Sequence, residues 1–217
     1  KTMLDVDSLT RSEFDSFLES SAESSAIITS NLERAAELVN SFKKVAVAQT
    51  SGELETFRLA QYFRDLLLNL SPSLKRTRIG TVIACDESLS VTTFPGAVSQ
   101  IVTNLVMNSI THAFDPGEEG VISLSAKEEA GDLVIEYADN GKGISEEAQR
   151  RIFEPFFTTA RQKGGTGLGL HIVYNLVTQK LGGHIRVRSE KGKGSAFIMR
   201  IPLRAEGILS PGSGDRV

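Results

Sequence analysis

Two glycine clusters that flank a long segment are the feature that most limits how this chain can fold. The first cluster lies in Asp139–Ile144 and the second in Gly164–Leu170, with about twenty residues between them. Glycine permits backbone conformations and close approaches that side chains forbid. The second cluster leads into an apolar helical pattern, and the N–H groups at a helix start favour anionic oxygens. Because connecting segments of this length are usually functional or mobile, we predict a nucleotide polyphosphate held beneath a lid.

Composition and charge exclude several classes of protein. The 217 residues carry a formal net charge of −3, so we predict no nucleic-acid partner. No apolar run reaches the roughly 20 residues that a membrane helix needs, and we predict a cytoplasmic chain without membrane contact. The single cysteine, Cys85, excludes an intrachain disulfide, and its apolar surroundings predict a buried, inert thiol. The chain begins at Lys1 and not at Met, which we interpret as a fragment of a longer protein that can carry an anchor elsewhere.

A long helix is predicted at the N-terminal side. Thr10 with Glu13, or Ser12 with Asp15, has the spacing of a capping box. Neither Gly nor Pro follows until after Gln49, which allows a helix longer than about 50 Å. Apolar residues in its second half repeat at steps of four and three, as in a helical bundle or coiled coil. They are Ile28, Leu32, Ala35, Val39, Phe42 and Ala46.

This apolar seam needs a partner, because one helix cannot bury its own stripe. A second copy of the chain is the simplest partner, so we predict a homodimer through residues 13–50. Packing of the helix on its own globular domain is the alternative. Thr50–Gly52 ends the helix, and we predict domains at 1–52 and 53–205 and a disordered tail at 206–217.

Beyond Gly52, strands and helices intermix. The predicted strands are Phe57–Leu59, Arg78–Cys85, Ser90–Phe94, Val121–Lys127, Leu133–Ala138, Ile185–Ser189 and Ser195–Leu203, and the predicted helices are Ala60–Leu70, Pro95–Phe114 and Leu168–Leu181. Most of the strands form antiparallel pairs with helices between the pairs. We therefore predict an α+β fold, preceded by the long helix of a helical bundle. The fold is a two-layer α/β sandwich, in which helices cover one face of a mixed, mostly antiparallel sheet.

Polar side chains recur on one side of the helix that begins at Pro95. Gln100, Asn104, Asn108 and the pair Thr111–His112 follow one another at steps of three or four. A half-buried amide costs free energy unless a partner satisfies it, and Mg²⁺ with phosphate oxygens would do so. The side-chain oxygen of Asn108 is a suitable Mg²⁺ ligand. A stripe that only faces solvent is the alternative.

Asp139 ends a predicted strand just before the first glycine cluster. Its carboxylate can accept a hydrogen bond from the exocyclic amine of adenine, and it would repel the carbonyl oxygen of guanine. An aspartate that only begins a tight turn before Gly141 is the alternative.

The order of these segments carries more information than any one of them. The chain resembles the ATP-binding catalytic domain of sensor histidine kinases, in the superfamily shared with gyrase and the heat-shock and mismatch-repair ATPases. Asn104–His112 matches the N box of the family, and Asp139–Ile144 matches its first glycine box. Phe153–Phe157 matches the F box, Gly165–Leu170 the second glycine box, and Gly192–Phe197 the closing hairpin. The resemblance covers about residues 53–204. It implies ATP and Mg²⁺ as cofactors and a response-regulator receiver domain as partner.

The resemblance also assigns site residues. The catalytic set is Asn104, Asn108 and His112, with Asn108 as metal ligand. The ATP contacts are Asn108, Thr111, His112, Asp139, Gly141, Gly143, Ile144, Phe157, Arg161, Lys163, Gly165, Thr166, Gly167, Leu168 and Gly169. Thr111 replaces a phosphate-binding lysine of many relatives. Arg161 and Lys163 are alternatively two solvated charges on a mobile loop.

Two positions refine the implied activity. Hydrolysing members of the superfamily carry a water-activating Glu where this chain has Asn104, so phosphoryl transfer is favoured over hydrolysis. None of the three histidines, His112, His171 and His184, lies on the N-terminal helix, which then resembles the second helix of a dimerisation and phosphotransfer hairpin. We expect the phosphoacceptor histidine to lie upstream, so that this fragment cannot phosphorylate itself. An ATP-hydrolysing switch and an inactive dimerisation module are the alternatives.

Overall fold

The computed structural model describes residues 10–50, 52–159 and 165–203, without the side chains of residues 33–35 and 37–50. The chain divides into two compact units, Lys1–Lys44 and Val45–Val217, which are described separately. Residues 1–9 and the predicted tail at 206–217 lie outside the described residues. The predicted domain boundaries stay predictions.

Helix α1 spans Arg11–Thr50, and its residues up to Lys44 lie in the first unit. The predicted capping box is present at its start: the backbone N–H of Glu13 donates to the Thr10 hydroxyl over 3.3 Å, and the Glu13 carboxylate accepts from the backbone N–H of Thr10 over 2.8 Å. Two positions of the predicted seam, Ile28 and Leu32, are 59% and 65% exposed. The later seam positions lie outside the described side chains. The described part of α1 therefore carries apolar surface that this single chain leaves uncovered.

The second unit contains seven strands and five further α-helices within the described residues. The strands are β1 (Glu55–Arg58), β2 (Arg78–Cys85), β3 (Ser90–Thr93), β4 (Glu119–Glu129), β5 (Asp132–Asp139), β6 (His184–Glu190) and β7 (Gly194–Pro202). The α-helices are α2 (Leu59–Asn69), α3 (Ser71–Leu74), α4 (Pro95–Asn108), α5 (Glu146–Gln149) and α6 (Gly169–Asn175). The order of these elements agrees with the predicted α+β class.

The main sheet has five strands in the order β2-β4-β5-β7-β6. Strands β2 and β4 are parallel, and the other neighbours are antiparallel, including the predicted hairpins β4-β5 and β6-β7. Strands β1 and β3 form a separate antiparallel pair. The mixed, mostly antiparallel sheet of the predicted sandwich is therefore confirmed.

Alternation along the strands places one sheet face against the helices. On β5, Leu133, Ile135, Tyr137 and Asp139 are buried, whereas the residues between them are partly exposed. The buried face of α4 supplies residues such as Leu105, which is fully buried, and α4 packs against α6. Each such leucine contributes about 2 kcal/mol by leaving water. The site-bearing ends of α4 and β5 are thus fixed by a common core.

The two helices beside the core end differently from the prediction. Helix α4 stops at Asn108 and continues as a π-helical turn over Ser109–Ala113, not as an α-helix to Phe114. Helix α6 stops at Asn175, and a second π-helical turn covers Leu176–Lys180. A π-helical turn accommodates one additional residue in the helix and has no simple sequence signal, which is why periodicity missed both turns.

The environment of Cys85 also differs from the prediction. Its side chain is partly exposed, because β2 is an edge strand with a mostly exposed pattern. Partial burial raises the pKa of the thiol, so the cysteine is still a poor nucleophile. Within the described residues, no helix is both long and apolar enough to cross a membrane.

Candidate ATP-binding site

One cavity of about 520 Å³ lies between α4, the end of β5 and the segments that carry the two glycine boxes. Most of the predicted site residues that the structure describes line it. They are Asn104, Asn108, Thr111, His112, Asp139, Gly143, Ile144, Phe157, Gly165, Thr166, Gly167 and Gly169. Gly141 and Leu168 do not line it, and Arg161 and Lys163 lie outside the described residues.

The amides of α4 form one wall of the cavity. Asn104 and Asn108 are one helical turn apart, and the Nδ2 atom of each is buried without a hydrogen-bond partner. A Cβ added at Gly169 would lie 3.3 Å from Oδ1 of Asn108, so the glycine lets α6 approach this amide. An unpaired buried amide costs about 1–3 kcal/mol. Phosphate oxygens would satisfy the two N–H₂ groups, and the Asn108 oxygen suits Mg²⁺, so these residues fit a magnesium polyphosphate.

Asp139, at the end of β5, lines the same cavity. Its carboxylate accepts hydrogen bonds from the Ser109 hydroxyl over 3.0 Å and from the backbone N–H of Gly141 over 3.1 Å. Burial raises the pKa of Asp139, while the hydrogen bonds from Gly141, Ser109 and the Ser195 backbone lower it. The carboxylate lines the cavity and keeps unused acceptor capacity. This arrangement can distinguish a donor from an acceptor on a bound base.

Two buried residues next to Asp139 were not predicted from the sequence: Ser109, which also lines the cavity, and Tyr137, which does not. The Tyr137 hydroxyl donates to Ser109 Oγ over 2.7 Å and also lies 3.1 Å from the Leu105 carbonyl oxygen. Burial raises the pKa of Tyr137, which keeps its proton and stays a donor. Strand alternation indicates that Tyr137 is buried, but its partner Ser109 lies in the π-helical turn and no sequence pattern links the two.

The first glycine box is packed against the protein, which explains why Gly141 does not line the cavity. A Cβ added at Gly141 would overlap the carbonyl oxygen of Ala113, and one added at Gly143 would overlap that of Glu190. The backbone N–H of Lys142 donates to the Ala113 oxygen over 2.8 Å. These close approaches dock the box on the end of the first π-helical turn. The N–H of Gly141 is already used by Asp139, so its role is to hold the aspartate.

The second glycine box contacts the predicted lid. Gly167 has φ +68°, and a Cβ there would lie 2.5 Å from the backbone carbon of Phe156. Phe156 is itself left-handed, with φ 66°, a conformation that non-glycine residues rarely adopt. Leu168 is buried in the core, with 3% exposure, which is why it does not line the cavity. The lid backbone therefore lies directly against the second glycine box.

Side chains of the lid segment attach it to α6 and to itself. His171 Nδ1 lies 2.9 Å from the Phe153 carbonyl oxygen, and the Phe153 ring contacts the Tyr174 ring at 5.5 Å between centroids. Phe157 lines the cavity, and the Arg151 guanidinium lies 4.7 Å from its ring centroid. The start of the lid is thus held by α6, the helix that follows the second glycine box.

Comparison with known proteins agrees with this geometry. Residues 95–205 match the family model of histidine kinase-, DNA gyrase B- and HSP90-like ATPases. This match covers half of the chain and includes every residue of the cavity described above. The chain belongs to this family.

Its relatives within the family are sensor histidine kinases. Sensor histidine kinase ZraS of Salmonella typhimurium is 36% identical over 154 residues, which are 70% of this chain and 32% of ZraS. The chain spans about a third or less of the length of the curated relatives that it matches.

Solved structures give the same family. The catalytic domain of histidine kinase ThkA is 30% identical, with a TM-score of 0.61, over 70% of this chain and 96% of that domain. A second structure is histidine kinase ThkA in complex with response regulator protein TrrA. It is 25% identical, with a TM-score of 0.63, over 82% of this chain and 50% of the matched chain. The predicted family and the predicted fold class are confirmed.

Proposed function

We propose that this chain binds Mg-ATP and acts as the catalytic part of a sensor histidine kinase, which transfers the γ-phosphoryl group to a histidine. The observation that carries the proposal is the convergence of two unpaired buried amides and one buried carboxylate on a single cavity. The amides fit the phosphate end and the carboxylate fits the base. An ATPase family membership supports the same ligand.

The side chains divide the work of positioning the nucleotide. Asp139 accepts from the base amine, and Asn104 and Asn108 donate to phosphate oxygens. Asn108 would also ligate Mg²⁺ through its side-chain oxygen, and the bound cation would offset the negative charge of the β- and γ-phosphates. His112 and Thr111 line the same cavity and complete the polar wall. Phosphoryl transfer depends mainly on such positioning and charge stabilisation.

The incoming nucleophile is an imidazole, and the acceptor is not one of this chain's own histidines. His171 is hydrogen-bonded to the lid, His112 lies within the cavity wall, and His184 begins strand β6. Asn104 is not a base, so it cannot activate water for hydrolysis. We therefore propose transfer to a histidine outside this sequence, with little hydrolysis of ATP by the chain itself.

Two partners follow from the same proposal. A second copy of the chain would cover the exposed apolar side chains that the structure describes on α1, such as Ile28 and Leu32, in a homodimer through residues 13–50. A response-regulator receiver domain would accept the phosphoryl group, as the complex of ThkA with TrrA supports. The proposed location is cytoplasmic.

Calorimetric titration of the chain with Mg-ATP, Mg-GTP and metal-free ATP tests this function. We expect saturable binding of Mg-ATP, weaker binding of Mg-GTP and of ATP without Mg²⁺, and slow phosphate release in a parallel hydrolysis assay. Rapid hydrolysis would support an ATP-driven switch instead. Absence of any nucleotide binding would support an inactive dimerisation module.

A further inference from the structure

A chain of buried hydroxyl groups leads from the core to the carboxylate of Asp139. Tyr137 donates to Ser109 Oγ over 2.7 Å, and Ser109 donates to Asp139 Oδ2 over 3.0 Å. The three side chains are 0%, 3% and 8% exposed. The three groups are largely shielded from bulk water, with Ser109 and Asp139 at the cavity wall, and each hydrogen bond orients the next hydroxyl proton.

The direction of donation depends on the charge of the carboxylate. An ionised Asp139 has no proton, so it requires Ser109 to donate to it, and Ser109 Oγ then accepts from Tyr137. A protonated Asp139 would reverse the chain: it would donate to Ser109, Ser109 to Tyr137, and Tyr137 to the Leu105 carbonyl oxygen 3.1 Å away. Each proton arrangement presents a different group to the cavity.

These two arrangements recognise different bases. An ionised carboxylate only accepts, so it binds a 6-amino purine and repels a 6-oxo purine. A protonated carboxyl can donate to the 6-oxo group and loses this discrimination. The Asp139 Oδ1 atom is already held by the Gly141 N–H over 3.1 Å. Ser109 is the side chain that holds the other oxygen, and Tyr137 occupies the acceptor side of the Ser109 hydroxyl.

We propose that Ser109 and Tyr137 are positioning residues that set the purine selectivity of the cavity, by holding Asp139 as an oriented, acceptor-only carboxylate. This inference rests on the proposed ATP-binding function and adds two residues that act through Asp139 without being needed to touch the nucleotide.

The test compares the affinities of Mg-ATP and Mg-ITP, because hypoxanthine carries a 6-oxo group where adenine carries the amine. The measured quantity is the ratio of the two dissociation constants by calorimetry. For Ser109→Ala and for Tyr137→Phe, we expect the preference for ATP to fall, by about tenfold for Ser109→Ala and less for Tyr137→Phe. Tyr137→Phe keeps the ring and its packing, so it gives a decisive answer if Ser109→Ala fails to fold.

Tyr62→Phe is the matched control. The Tyr62 hydroxyl donates to the Pro95 carbonyl oxygen over 2.7 Å, and Tyr62 does not line the cavity. Its removal also deletes a tyrosine hydrogen bond to the backbone, but we expect the ATP-to-ITP preference to stay at the wild-type value. A fall in this control equal to that in Tyr137→Phe would overturn the inference, because it would show a general effect of stability.

The outcomes separate the inference from the function beneath it. Suppose that the unmodified chain prefers ATP, and that Ser109→Ala and Tyr137→Phe either keep this preference or lose affinity for ATP and ITP equally. The inference is then overturned, and the proposed function stands. If the unmodified chain binds neither nucleotide, the proposed function and the inference are both overturned. A loss of the preference for ATP over ITP in Ser109→Ala and Tyr137→Phe, but not in Tyr62→Phe, supports the inference.

Discussion

The cavity has two polar regions, called here the Asp139 end and the α4 end (Asn104 and Asn108), and their hydrogen-bonding groups are satisfied in different ways. At the Asp139 end, the carboxylate already accepts from Ser109 and Gly141 before any ligand binds. At the α4 end, the Nδ2 atoms of Asn104 and Asn108 are buried and unpaired. The first end is preorganised, which favours selectivity, whereas the second is completed only by a ligand, which links binding to stability.

The largest expected effect follows from breaking the preorganised end. Asp139→Asn replaces the acceptor-only group by an amide that can present N–H₂ to the base amine, and we expect Mg-ATP affinity to fall about a hundredfold. Calorimetry measures the change. Asp86→Asn is the control, because Asp86 is an exposed carboxylate that accepts from the Ser88 backbone in a turn. Unchanged ATP affinity in Asp139→Asn would show that Asp139 takes no part in nucleotide recognition.

The next effect concerns the backbone that closes the α4 end. Gly167→Ala places a Cβ 2.5 Å from the Phe156 backbone at φ +68°, and we expect the free energy of unfolding to fall by about 1–3 kcal/mol. Gly96→Ala is the control, since a Cβ there meets nothing within 4 Å in the first turn of α4, and it should stabilise slightly. Urea denaturation of both variants measures the difference. Equal stabilities would mean that the lid can move away from the glycine box without cost.

A smaller effect tests the unpaired amides directly. Asn108→Leu removes a buried unsatisfied donor, so we expect the ligand-free chain to keep or gain stability, by up to about 1 kcal/mol, while Mg-ATP affinity falls at least tenfold. Denaturation with and without Mg-ATP measures both changes. Asn140→Leu serves as the stability control, because the Asn140 side chain already accepts from the Val121 backbone N–H over 2.7 Å and its loss should destabilise. If ligand-free Asn108→Leu is destabilised as much as Asn140→Leu, the Asn108 amide already has a hydrogen-bond partner in the ligand-free chain.

The smallest effect is a pH dependence at the preorganised end. Burial raises the native pKa of Asp139 above its ordinary value of 3.8, so the native chain holds this proton more tightly than the unfolded chain does. The contribution of Asp139 to the free energy of unfolding is therefore greatest below pH 3.8, and it is lost as the pH rises through the raised native pKa. Denaturation across this window should show the decline in the wild type and not in Asp139→Asn. Parallel curves of the free energy of unfolding against pH for the wild type and Asp139→Asn would contradict this prediction.

Much of the fold was predictable because its determinants are local in the sequence. Alternation along β4 and β5 predicted their pairing, and the capping box predicted the start of α1. The structure places Asn104, Asn108 and Asp139 around one cavity, as the order of motifs in the resemblance implied, and their roles there stay predictions.

The remainder depends on contacts between distant segments. Tyr137 reaches Ser109 across 28 positions, and the close packing of Gly141 depends on the Ala113 carbonyl oxygen. Neither contact leaves a periodic pattern. The resemblance placed Gly141 and Leu168 at the nucleotide. Neither lines the cavity, because Gly141 packs against Ala113 and Leu168 is buried in the core, and their contacts with a nucleotide stay predictions.

The first π-helical turn makes the site sensitive to chain length. Its hydrogen bonds enclose one residue more than an α-helical turn does, so deleting one residue between Ser109 and Ala113 would restore an uninterrupted α-helix. The wider turn absorbs the extra residue, so the side chains after Ala113 would keep their direction around the helix axis. Thr111 and His112 lie inside the turn, and they would shift relative to Asn108 in the cavity wall. Deleting Ile110, which does not line the cavity, would therefore disturb recognition without removing a residue that does.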